Sequence, residues 1–171
     1  MYAHAANGGI KIDKTAHTGV EGLYACGEAT GGMHGADRIG GLSSANGIVF
    51  GRIAGASAAL TAQKEPEVAL KADITLPQCG IATTDADRLT HSLRHTMSTY
   101  CMINRTETGL SEALQQLESL QDKAMALSKP HADDSEIAAL ARLQSQIRLA
   151  QEMVKAMRKR TESLGSHYRA D

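Results

Sequence analysis

The sequence predicts an α+β fold in which short β-strands and a glycine-rich loop–helix precede an antiparallel helical bundle. Three observations predict it. Residues 22–55 join a short apolar run, a loop crowded with glycine and the abrupt start of a helical pattern. From residue 86 onward, apolar side chains recur at helical spacing in three successive stretches. The apolar content is mostly Ala, Leu, Ile and Met, with no tryptophan and Phe50 as the only phenylalanine, which favours helix over sheet.

Gly9 to Asp13 alternates like a strand, and Lys14 to Val20 reads as a connection. Leu23 to Cys26 reads as a second short strand. Two short strands do not make a stable sheet alone, so the first sixty or so residues read as the edge of a larger structure. Gly27 to Leu42 is a loop carrying Glu28, His34 and Arg38, and Ser43 opens a helix that runs to Ala62. Gly31, Gly32, Gly35, Gly40 and Gly41 permit positive φ and close backbone approach to a flat ligand. Gly47, Gly51 and Gly55 give the helix one bare face. Each costs about 1 kcal/mol against alanine in a helix interior, so a packing reason is expected. Ile48, Val49, Phe50, Ile53 and Leu60 are its apolar anchors.

A strand, a glycine-rich turn and a helix N-terminus suit an anionic or polar ligand, because the first amides of a helix lack internal partners and carry partial positive charge. A plain glycine-rich surface loop explains the same residues, and residue types alone leave both readings open. No GxGxxG follows a strand, so the usual pyrophosphate site of a dinucleotide is missing.

Lys64-Glu65-Pro66 ends the helix, and Glu67 to Asp85 reads as a connection with little regular structure. The chain thus divides into residues 1–63, a linker at 64–85, and a helical domain at 86–171. Ala86 to Asn104 places Leu89, Leu93, Met97, Tyr100 and Cys101 on one face. Thr106 is the N-cap of the next helix, whose stripe is Leu110, Ala113, Leu114, Leu117, Ala124 and Leu127. Ser128 to His131 breaks it, and Asp133 with Glu136 forms a capping box before a long helix with Ile137, Leu140, Ile147, Val154 and Met157 inward. Such stripes are core-facing in a helical bundle.

The 171 residues carry a formal net charge of -1, so no basic excess points to nucleic acid. No apolar run is long enough to span a membrane, and the start lacks the pattern of a signal peptide. Cys26, Cys79 and Cys101 form neither a CxxC pair nor a disulfide framework, as in a reducing, cytoplasmic compartment.

The central stretch also resembles a known family. Gly-Leu-Tyr-Ala-Cys-Gly-Glu at 22–28, His-Gly-Ala-Asp-Arg-Ile-Gly-Gly-Leu-Ser at 34–43 and Val-Phe-Gly-Arg at 49–52 are similar to the flavoprotein family of fumarate reductase, succinate dehydrogenase and L-aspartate oxidase. Asp37 and Leu42 stand where that family usually has asparagine, and Ser44 where it has leucine. His4, Gly8 and Gly9 match the family's His-Tyr-x-x-Gly-Gly, with Ala5 in place of tyrosine. Leu93 to Glu107 resembles its Leu-Arg-x-x-Met and Arg-Thr segment. Arg160 to Arg169 resembles its Arg-x-Glu-Ser-Arg-Gly-Ala-His-x-Arg ending, with Leu164 for the inner arginine.

The resemblance implies the C-terminal portion of a longer FAD-dependent flavoprotein. Its N-terminal FAD-binding and capping segments would lie outside residues 1–171. Hydride would pass between flavin and a C4 dicarboxylate of the fumarate or succinate type. Arg38 suits a carboxylate because its planar fork donates two parallel hydrogen bonds, and His4 adds another. The family's substrate ligands fall on these two positions. Glu28 is implied to accept from cofactor hydroxyls, and Ser43 and Ser44 to present amides to the flavin; N-capping is the alternative for the serines. His34 reads as loop structure. No catalytic residue is assignable, because the family's proton-transfer arginine belongs to its middle segment. Implied partners are a small dicarboxylate and an iron–sulfur or other electron-transfer subunit, with any membrane attachment made through other subunits. Two alternatives remain: an L-aspartate oxidase, and a non-catalytic helical assembly module.

Overall fold

The computed structural model describes residues 8–64 and 78–171, which fall into two compact units.

In the first unit, β1 (Ile10–Lys11) pairs in parallel with β2 (Thr30–Gly31), Ile10 opposite Thr30 and Lys11 opposite Gly31. Glycine makes the pairing possible. A Cβ on Gly31 would sit 2.6 Å from the Gly9 nitrogen, and one on Gly9 would collide with the Ala29 carbonyl. The expected strand at Leu23 to Cys26 is not formed; Tyr24 makes only an isolated antiparallel bridge to His17. The ladder passes instead to Thr30–Gly31, inside the stretch read as loop. Between β1 and this bridge, the Asp13 carboxylate accepts from the Thr15 amide at 2.8 Å, the Thr15 hydroxyl at 2.6 Å and the His17 amide at 3.0 Å. These bonds hold Asp13 below the usual carboxylate range, the Thr15 hydroxyl contributing most.

A short 3-10 turn, Gly27–Ala29, leads into β2, and α1 spans Leu42–Ala62. The bare glycine face packs in part: a Cβ on Gly27 would lie 3.9 Å from the Gly47 Cα, and one on Gly51 would lie 3.9 Å from the Cys26 sulfur. Gly55 faces open space. Of the expected apolar anchors, Ile48, Val49 and Leu60 are exposed. The helix buries Asn46 and Ala54 instead, because its close contacts run along the glycines rather than the large side chains.

The second unit contains α2 (Thr83–Tyr100), α3 (Glu107–Ala126) and α4 (Asp134–Lys159). Its core joins Leu89 and Leu93 of α2, Leu110, Leu117 and Leu120 of α3, and Leu140, Leu143, Ile147 and Val154 of α4. Hydrogen bonds pair Met125 with Gln144, Gln121 with Gln151 and Glu107 with Arg158. Position falls along α3 as it rises along α4, so these two helices run in opposite directions. The Thr106 hydroxyl accepts from the Gly109 amide, and Asp133 with Glu136 forms the capping box. Leu127 is exposed beyond the end of α3, outside the stripe it was assigned to.

Ile81, expected in the connecting stretch, is fully buried in this core, and α2 begins at Thr83, inside that stretch. The residues of the stretch before Gln78 lie outside those described. Gly80 exchanges backbone hydrogen bonds with Lys129, and the Ile81 amide donates to the Glu136 carbonyl at 3.1 Å. Finally, β3 (Asn104–Arg105) pairs in parallel with β4 (Tyr168–Arg169), folding the last residues back onto the start of α3.

Candidate functional site

Three sequence features meet at the first turns of α1. The preceding residue, Gly41, sits at φ 87° and caps the helix without a side chain, a conformation that favours glycine. Ser43 and Ser44 lie exposed in the first turn, past the cap position. The cap position is held by Gly41, so neither serine is the N-cap of α1. The first turn also carries no acidic side chain. Neither a cap nor a carboxylate therefore offsets the positive end of this helix.

Asn46 ties this turn to the preceding segments. It is 8% exposed, and its Nδ2 donates to the Gly27 carbonyl at 3.4 Å and lies 3.4 Å from His34 Nε2. The Thr30 hydroxyl donates to the same carbonyl at 2.6 Å. The Glu28 turn, the His34 loop and the start of α1 are thereby brought together. Asn46 Oδ1 is buried without a partner, an unsatisfied acceptor at the base of the cluster. Sequence reasoning passed over Asn46. The available signal was an amide amid Ala, Gly and Ile in a helix with no other polar residue between Ser44 and Arg52. At the far end of α1, Tyr24 and Thr61 share a hydroxyl–hydroxyl bond of 2.7 Å.

Glu28 is exposed in the 3-10 turn. Arg38 is half-buried, and its guanidinium has no hydrogen-bond or ion-pair partner among the described residues. Its amide donates to the Asp37 carboxylate at 2.9 Å, so Asp37 shapes the turn that presents Arg38. Of the five glycines expected to supply positive φ in this loop, Gly32, Gly35 and Gly41 do so, and Gly31 and Gly40 do not. His4 lies outside the described residues. No cluster of three metal-ligating side chains occurs among the described residues. None of their helices is long and apolar enough to cross a membrane.

Comparison with known proteins places this geometry in context. The family model described as fumarate reductase flavoprotein C-term matches residues 90–171, and that described as FAD binding domain matches residues 1–44. A subunit of the fumarate reductase (CoM/CoB) of Methanothermobacter marburgensis is 32% identical over 99% of this chain and 32% of its own length. An L-aspartate oxidase of Mycobacterium bovis is 34% identical over 99% of this chain and 30% of its own. A solved E. coli quinol fumarate reductase FrdA variant superposes with a TM-score of 0.80 at 29% identity, covering 95% of this chain and 30% of that one. The chain thus spans about a third of the length of the relatives it matches.

Proposed function

Since the chain belongs to the flavoprotein family of fumarate reductase, succinate dehydrogenase and L-aspartate oxidase, we propose that it forms part of an FAD-dependent oxidoreductase acting on a C4 dicarboxylate. The observation that carries this reading is the start of α1. Its amides follow a glycine cap, lack side-chain competition and lie beside the Glu28 turn. That arrangement fits a flat, polar cofactor edge better than a plain surface loop.

Bound FAD would supply the site that takes or gives hydride. The chain's own residues would bind and orient. Ser43 and Ser44 present amides to the cofactor, where the helix dipole favours negative charge. Glu28 accepts hydrogen bonds from cofactor hydroxyls. Arg38 grips one substrate carboxylate through its fork, and His4 donates a further hydrogen bond to that end. That the Arg38 guanidinium has no partner among the described residues supports its part in this. Proton transfer, the remaining cofactor contacts and substrate closure fall to segments such as those the relatives carry in their other two thirds. An iron–sulfur or other electron-transfer subunit is the partner we propose, with any membrane association made through it.

A second reading, oxidation of an amino-dicarboxylate, is favoured by the L-aspartate oxidases among the relatives. Flavin-containing protein from the native source separates the two: turnover of aspartate with oxygen selects the second, and reduction of fumarate the first. In that protein, Arg38→Ala should weaken dicarboxylate binding by about 100-fold or more while flavin stays bound. Unchanged affinity, read from the perturbation of flavin absorbance by succinate, would remove Arg38 from the site. Residues 1–171 alone should not turn over fumarate.

A further inference from the structure

Asn46, in the second turn of α1, carries an amide that is buried but only half used. The residue is 8% exposed, and its Oδ1 is buried without a partner among the described residues. An acceptor left bare in this way costs stability, and its neighbours along α1 are Ala45, Gly47, Ile48 and Val49. Packing alone therefore gives no reason for an amide here. The other end of the side chain supplies one. Nδ2 faces two acceptors from separate turns, the Gly27 carbonyl and His34 Nε2, each at 3.4 Å.

The Gly27 carbonyl can only accept, so the amide atom facing it is the nitrogen. The reversed amide would bring two oxygens together. Set this way, Asn46 has one N–H for each neighbour. His34 Nε2 must then accept, which makes the imidazole neutral and puts its proton on Nδ1. Free histidine favours the other tautomer. The same bond pins the segment that carries Arg38. His34 leads to Arg38 through a turn whose Gly35 has φ 63°, and the Asp37 carboxylate accepts from the Arg38 amide at 2.9 Å. Beyond Arg38 the chain enters α1, with the Leu42 amide donating to the Ile39 carbonyl at 3.3 Å. The segment is thus fixed to α1 at both ends, by continuation of the chain at Leu42 and by Asn46 at His34. Gly27, the other acceptor, immediately precedes Glu28.

We propose that Asn46 is a positioning residue of the dicarboxylate site: its amide fixes His34 as the Nδ1–H tautomer and, through it, ties the Arg38 turn to the Glu28 turn. This rests on the reading of Arg38 as the ligand of a substrate carboxylate. Without the clamp the Arg38 turn is held at one end only, and ordering it on binding costs affinity.

Two measurements test this, the first without flavin or substrate. In the isotope-labelled full chain at about pH 9, where histidine is neutral, long-range proton–nitrogen correlations should show His34 protonated at Nδ1 and bare at Nε2. Asn46→Asp, whose carboxylate can only accept, should place the proton on Nε2. The second measurement follows succinate affinity, read from flavin absorbance, in the flavin-containing protein. Asn46→Asp and Asn46→Ala should each weaken it roughly tenfold with flavin still bound. Neither should weaken it further once Arg38→Ala is in place, because the effect passes through Arg38. The inference is overturned if His34 carries its proton on Nε2 in the unchanged chain, or if Asn46→Asp leaves the tautomer as it was. It is equally overturned if the Asn46 variants bind succinate as tightly as the unchanged protein, or if their losses add to that of Arg38→Ala. Should Arg38→Ala itself leave affinity unchanged, the dicarboxylate reading falls and takes the positioning role with it. A failed Asn46 result beside an intact Arg38 effect removes this inference alone.

Discussion

At Gly80 a single hydrogen atom in place of a methyl decides whether two segments can meet. A Cβ there would lie 2.5 Å from the Ala132 Cβ and 2.6 Å from the Glu136 carbonyl carbon. Glu136 lies in the first turn of α4 and Ala132 just before its cap, and the backbone at Glu136 cannot move aside cheaply. Gly80→Ala should therefore lower stability by about 1–3 kcal/mol through overpacking, measured as a lower denaturant midpoint with unchanged slope. An unshifted midpoint would mean that the segment packs loosely. In the sequence, Gly80 reads only as punctuation, because the atoms it must avoid are some fifty positions away. Asn46 is similar: its partners Gly27 and His34 come from turns that local spacing does not join to α1. Cys101 is the converse case, placed correctly on the inner face of its helix. Burial raises its thiol to about 11, whereas Cys26 and Cys79 are exposed.

Among the elements, α2, α3 and α4 are legible because each carries its own apolar stripe and, for α3 and α4, its own cap. Thr106 and Asp133 both accept from the amide three residues on, a local interaction that needs no tertiary partner. α1 is legible in extent but not in packing. Ile48 is 74% exposed and Leu60 59%, while small residues form its contacts. A helix that is apolar all round is normally covered. α1 buries little here, so its amides should exchange with solvent far faster than those of α3, whose Leu110, Ala113 and Leu117 are fully buried. Equal protection of the two helices in hydrogen exchange would contradict this. The strand at Leu23 to Cys26 failed for a related reason. β-character describes a surface that fits a neighbour, and the neighbour of β1 is Thr30–Gly31.

Across the whole chain, the helical unit is closed by charge as well as by its core. The Arg169 Nη1 reaches the carbonyls of Met157, Arg158 and Arg160 at the end of α4. Asp171 accepts from the Glu107 amide at 2.6 Å, at the start of α3. Glu107 also pairs with Arg158. Hydrogen bonding to Arg158 is the main cause of the lowered Glu107 pKa, and hydrogen bonding to Arg169 that of Asp171. Groups with depressed folded pKa values stabilise in full above the ordinary carboxylate range, and that contribution is lost as pH falls through their folded values. Tm should therefore fall on acidification below the ordinary carboxylate range. Glu107→Gln should lower Tm modestly at neutral pH, since its ion pairs are partly exposed, and flatten the acid dependence. An acid slope identical to that of the unchanged protein would show that this clasp does not contribute.

By itself the sequence determined the family, the glycine-rich loop running into α1, and three helices with their inward faces and, for α3 and α4, their caps. All of these rest on local pattern: motif spacing, helical periodicity and caps within a few residues. Only the tertiary structure decided which short segments pair as strands, that Ile81 and Gly80 belong to the helical core, that Asn46 joins Gly27 and His34, and that Arg169 pairs with Glu107 and Asp171. Each of these depends on contacts between residues far apart in the chain. Burial and charge pairing are set by such contacts, and a residue's near neighbours in sequence do not encode them.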